Sequence, residues 1–181
     1  LATTDSTRVE YTAEQALARI GEEAVAPLIT LMRESSDPDT VNWAAVALGE
    51  IGAAAIDPVA ELLSDPNAPL QARRGAAHAL GTSGSYAATR PLEEAVHEAP
   101  PAVRQAATRA IGKIGDEEAT DALVDAIGDE ADQVRQVAMH VLINWRLGDV
   151  DEQLTEVLES DDQDAAHRAA IILAEHTPAA A

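Results

Sequence analysis

Cysteine is absent from these 181 residues, which excludes disulfides, thiolate metal sites and cysteine nucleophiles. Phenylalanine is absent as well, and aromatic residues amount to only 2%. Any core must therefore be built from Ala, Leu, Ile and Val, which suits closely packed helices, and the 46% apolar content is enough to bury one. Lysine occurs once, at Lys113, among 12 basic residues set against 32 acidic ones, for a formal net charge of -20. So few cations argue against nucleic-acid binding through phosphates and against attraction to an anionic membrane surface. Carboxylates at this density repel one another in dilute buffer but hold water and cations in brine, so the composition reads as that of an extreme halophile. There is no run of about 18 apolar residues, and the opening LATTDSTRVE lacks the basic and apolar regions of a signal peptide. The expectation is a cytoplasmic protein.

What is present is a spacing. In VRQAATRAIGKIG, from Val103, small or apolar residues fall at 0, +3, +4, +7, +8 and +11, one face of an α-helix, and Gly112 and Gly115 are read as its end. Equivalent zero positions lie at Val9, Thr40, Ala72, Val103, Val134 and Ala165, in steps of 31, 32, 31, 31 and 31. This is an internal repeat. At +4 stand Ala13, Ala44, Ala76, Ala107, Ala138 and Ala169; at +8 stand Leu17, Leu48, Leu80, Ile111, Leu142 and Leu173. An alanine in every copy predicts that a neighbouring helix crosses too closely there for a larger side chain.

Each such first helix is followed by a second with its own stripe at 0, +4, +7 and +8, as in Ala55, Val59, Leu62, Leu63 and Ala119, Leu123, Ala126, Ile127. Pro27, Pro58 and Pro91 are read as marking entry to second helices, where a missing N–H is tolerated. Gly21, Gly52, Gly84 and Gly115 are read as ends of first helices. Asp37-Pro38, Asp65-Pro66, Pro100-Pro101 and Asp132 precede the next ones. The predicted fold is all-α: a solenoid of about five antiparallel helix pairs with a sixth first helix as C-terminal cap. It forms a single domain over 9–176, with repeats starting near 9, 40, 72, 103, 134 and 165, and mobile ends at 1–8 and 177–181. Arg168 and His176, at +3 and +11 of the last helix, are expected to face water.

The segments VRQAATRAIGKIG with DEEATDALVDAIGD, and VNWAAVALGEIG with AAAIDPVAELLSD, resemble HEAT-like repeats of the short type named after phycobilisome lyases. The resemblance runs from about Val9 to His176 and speaks for fold more than for function, since such repeats occur in bilin lyases, in a di-iron hydroxylase of deoxyhypusine and in proteins that only bind partners. It implies that the Arg after the first apolar position stacks on acidic loop residues; Arg73, Arg104 and Arg135 match, whereas Glu10, Val41 and Ala166 do not. It implies His-Glu ligand pairs in the hydroxylases at positions held here by Arg74-Gly75, Gln105-Ala106 and Gln136-Val137, so that metal site is missing from the sequence. His97-Glu98 and Glu175-His176 lie outside the register. No cofactor is expected.

His78 and His140 both occupy +6 of first helices, two repeats apart, and are read as surface histidines. Trp43 and Trp145, at +3 and +11, are read as core packing residues. No Ser or Thr has a His and a carboxylate partner at local spacing. The most informative pattern is acidic: Glu61, Glu94, Asp125 and Glu156 at +6 of successive second helices, reinforced by Asp57, Asp121 and Glu152 at +2, with His97 beside them. The resemblance implies that second helices line the concave side, making this an acidic groove for a basic peptide or cationic helix. A halophile spreading acid over every exposed face is the competing account. Against it, outward positions of the middle first helices carry Arg74, His78, Arg109 and Lys113. The sequence thus points to a non-catalytic protein-interaction scaffold, with a bilin- or tetrapyrrole-handling lyase or chaperone subunit, and a structural subunit that stacks end to end, as alternatives. Its oligomeric state stays open.

Overall fold

The computed structural model describes residues 21–145 and 150–176. Helix α1 covers 21–34. It is followed by α2 (Pro38–Ile51), α3 (Ala53–Ser64), α4 (Leu70–Ser83), α5 (Thr89–Glu98), α6 (Pro101–Ile114), α7 (Thr120–Ala126), α8 (Asp132–Asn144), α9 (Val150–Leu158) and α10 (Gln163–His176). Short 3-10 turns, Tyr86–Ala88 and Glu117–Ala119, lead into α5 and α7. There is no strand among the described residues, and the fold is an α-solenoid. The mobile ends expected at 1–8 and 177–181 lie outside the described residues.

The first helices are α2, α4, α6, α8 and α10, and the second helices α1, α3, α5, α7 and α9. The predicted stripe is the buried one: Ala44, Ala76, Ala107, Ala138 and Ala169 are all sealed from water, as are Leu48, Leu80, Ile111 and Leu142. The core continues as one cluster from Val25 to Ile172. Asp37 caps α2, accepting from the Thr40 N–H at 3.0 Å, with Pro38 at the first helical position. Gly52 and Gly115, both at φ +73°, turn the chain after α2 and α6.

Several expectations are corrected. Gly21 lies in α1, the first helix that it was read to close lying outside the described residues, and Gly112 lies inside α6. Pro58 is inside α3 rather than at its entry, because the turn at Gly52 is tight enough for α3 to start at Ala53; Pro27 is likewise helical, and only Pro91 falls in a first turn. Trp43 is 73% exposed. Gly75, at the same +3 position of α4, faces Met32 and Val41 of the preceding repeat instead of water. Trp145 is partly buried against the core. Arg168 and His176 do not simply face water: Arg168 Nε donates to the Ile127 carbonyl at 2.6 Å, and His176 Nδ1 and Nε2 lie 2.6 Å from Asp151 Oδ1 and 2.9 Å from the Leu142 carbonyl.

The helices also pair differently from the order in which the repeat was read. The intimate hairpins are second helix then next first helix, α3 with α4, α5 with α6 and α9 with α10, while α2 and α3 contact each other little. Successive first helices pack closely, α2 on α4 and α4 on α6, because glycines stand where they cross. A Cβ on Gly81 would sit 2.8 Å from Ala110 Cβ, and one on Gly112 would sit 2.5 Å from Val141 Cγ2. Second helices touch their successors much less. A stack whose two layers differ in spacing bends toward the tighter one, so the first helices take the inner side. The implied placement of the second helices on the concave face is therefore reversed.

Candidate functional site

The wide spacing of the second helices leaves two grooves between them. One, of about 560 Å³ between α3 and α5, is lined by Asp57, Glu61, Glu94 and Glu98, with Arg73 at its edge. The other, of about 710 Å³ between α7 and α9, is lined by Asp121, Asp125, Glu152 and Glu156. All eight residues singled out from the sequence are exposed. Seven of them line the grooves, whereas His97 lines neither, being on the last turn of α5 beside that helix's carbonyl end. Of the seven, only Glu94 is in an ion pair among the described residues, at 3.3 Å from Arg90 Nε, with both groups exposed. Asp121 accepts from Gln153 Nε2 at 2.6 Å, which ties α7 to α9 across the floor of the second groove. Glu98 and Gln153 were not anticipated. Glu98 could have been found by continuing the ladder at +2 and +6 to +10.

That +10 position also explains how the repeats are joined. It holds Asp65 and Asp129, which receive arginines: Arg33 Nη1 lies 2.6 Å from Asp65, and Arg104 grips Asp129. The family-implied arginines behave individually. Arg104 pairs with acidic loop residues as expected; Arg135 pairs with Asp132 and donates to the Asp129 carbonyl; Arg73 donates to the Leu63 carbonyl, at 2.8 Å, and is in no ion pair among the described residues.

On the inner layer, a third cleft of about 290 Å³ is bounded by α2, α4 and α6 and brings together Arg74, His78, Arg109 and Lys113. Partial burial pushes the His78 imidazole below its ordinary 6.5, and the Lys113 and Arg109 charges push it the same way. His140, two repeats on, is exposed and not part of this cleft. Among the described residues no group of three or more His, Cys, Asp and Glu is arranged to hold a metal ion, and no helix is long and apolar enough to cross a membrane.

Stacked helix hairpins with open grooves and an Arg104–Asp129 clamp between repeats define an α-solenoid of the kind that presents surfaces to partners. The model of the HEAT repeats matches residues 1–73 and 56–143, and the chain belongs to that family. Among solved structures it is similar to the complex of CpcE and CpcF of phycocyanin lyase from Nostoc sp. PCC7120, at 21% identity and TM-score 0.63, covering 86% of this chain and 99% of that one. It is also similar to a designed armadillo repeat protein in complex with the peptide (KR)4, at 18% identity and TM-score 0.55, covering 92% of each chain. A further designed armadillo repeat protein for modular peptide recognition matches at 17% identity and TM-score 0.52, over 97% and 96%. No curated protein matches this sequence.

Proposed function

We propose that this chain is a non-catalytic protein-interaction scaffold whose second-helix layer receives a basic peptide or cationic helix. The observation that carries this reading is the pair of grooves lined by eight exposed carboxylates, seven of them in no ion pair among the described residues. Their spacing follows the repeat, so a partner with a cation every few residues meets an acid at each step. A similar solenoid holds (KR)4, which is support by analogy of fold. The likeness to a phycocyanin lyase complex is also one of fold, and a spectral shift on adding bilin or haem would favour that alternative. The domain is taken to span 9–176 and to work in the cytoplasm of a halophile, where molar salt screens its own charge.

Binding of a fluorescent (KR)4 peptide, followed by anisotropy, tests the reading. Glu94→Arg and Asp125→Arg are expected to weaken it at least tenfold each, about 1.4 kcal/mol. Unchanged affinity in both would remove the second-helix layer as the binding surface.

A further inference from the structure

The inner layer carries a separate feature. Acids outnumber bases 32 to 12 in this chain, so a basic side chain left without a carboxylate is unexpected. Of the described basic residues, Arg33, Arg90, Arg104 and Arg135 are paired with carboxylates, and Arg73 and Arg168 are spent on backbone carbonyls. The remaining three are Arg74, Arg109 and Lys113. All three line the cleft on α4 and α6. Among the described residues Arg74 Nη1 reaches only the neutral Gln71 Oε1, at 3.2 Å, Lys113 Nζ only the Thr82 hydroxyl, at 3.1 Å, and Arg109 has no hydrogen bond or ion pair. His78 stands between them, and the charges acting on it are both positive. The small residues Gly75, Gly81, Ala106 and Ala110 line the same cleft.

We propose that this cleft is a second docking surface, which takes an extended acidic segment of a partner protein and pairs its carboxylates with Arg74, Arg109 and Lys113. Charge complementarity selects that occupant. Arg74 lies on α4 while Arg109 and Lys113 are one turn apart on α6, so the cations bracket a strand-like chain whose alternate side chains are acidic. A second copy of this chain would bring its own net charge of -20 against a body of the same sign, whereas a short segment brings only a few carboxylates. A nucleic acid would set a long row of phosphates against only three cations on a strongly negative protein.

The test uses the full chain and a fluorescein-labelled octaglutamate peptide at about 0.15 M salt, where the Debye length is about 8 Å and long-range repulsion is screened. Binding is expected, with Arg109→Glu weakening it at least tenfold and Lys113→Glu similarly. Arg90→Glu makes the same change in net charge on the other layer and is expected to leave affinity within twofold. Circular dichroism of each variant reports that it is folded, and cross-peaks of the His78 ring are expected to shift on adding peptide. Equal weakening by Arg90→Glu, or no binding by wild type, would overturn the proposal. So would tighter binding of a single-stranded RNA oligomer at the same cleft, or a dimer by light scattering that Arg109→Glu dissolves. Because the (KR)4 assay reads the opposite layer, either site can fail while the other stands.

Discussion

The Arg104 guanidinium grips the Asp129 carboxylate through two parallel hydrogen bonds, Nε to Oδ2 at 2.8 Å and Nη2 to Oδ1 at 2.7 Å. Arg104 is 9% exposed and donates its third contact to the Ala99 carbonyl at 3.1 Å, so one side chain closes α6 onto the end of α5 and onto the loop after α7.

Removing one partner of this clamp should be costly. Arg104→Ala is expected to destabilise the fold by about 2–3 kcal/mol, because it strands a mostly buried carboxylate. Burial alone would raise the Asp129 pKa, but hydrogen bonds from Arg104 and the Ala131 N–H, with the charges of Arg104 and Arg135, outweigh it and hold the group below its ordinary 3.8. A folded pKa below the unfolded one stabilises at pH above about 3.8, and that contribution is lost as pH falls through the folded value. Urea unfolding between pH 7 and 2 should therefore show a shallower acid loss for Asp129→Asn, from a lower starting stability.

Gly81→Ala tests the close crossing of first helices. In an open helix this change stabilises by about 0.5–1 kcal/mol. Here the new methyl would meet Ala110 Cβ at 2.8 Å and Ala110 Cα at 2.9 Å. A net destabilisation of about 1–2 kcal/mol is expected, and Ala107→Leu should cost about 1–3 kcal/mol by overpacking the same layer. A gain in melting temperature for Gly81→Ala would refute the tight approach.

His78 should titrate below 6.5, from partial burial and the Lys113 and Arg109 charges. The native state then takes up this proton less readily than the unfolded chain, so it loses stability as pH falls through 6.5, and the loss levels off below the folded pKa. Arg109→Gln is expected to move the NMR titration midpoint back up.

Salt should stabilise the fold. With a net charge of -20, transferring the chain from molar salt to dilute buffer unscreens the carboxylates, and thermal unfolding should move to lower temperature. A melting temperature independent of salt would contradict the halophile reading.

The helices, their register and their buried faces were readable from residues alone, since a 3.6-residue period and a 31-residue repeat are local regularities that burial must respect. Ala44, Ala76, Ala107, Ala138 and Ala169 are sealed as the spacing required. The acidic ladder was likewise visible. Only the tertiary structure decided which helices form hairpins, which layer is tighter, and that Gly112, like Gly81, serves close packing and not a helix end, because these depend on neighbours about 30 residues away. The same reason draws His176 onto Asp151 and Leu142 and divides the ladder between two grooves. Composition counted the cations, but only packing collected into one cleft the three that, among the described residues, neither a carboxylate nor a backbone carbonyl engages.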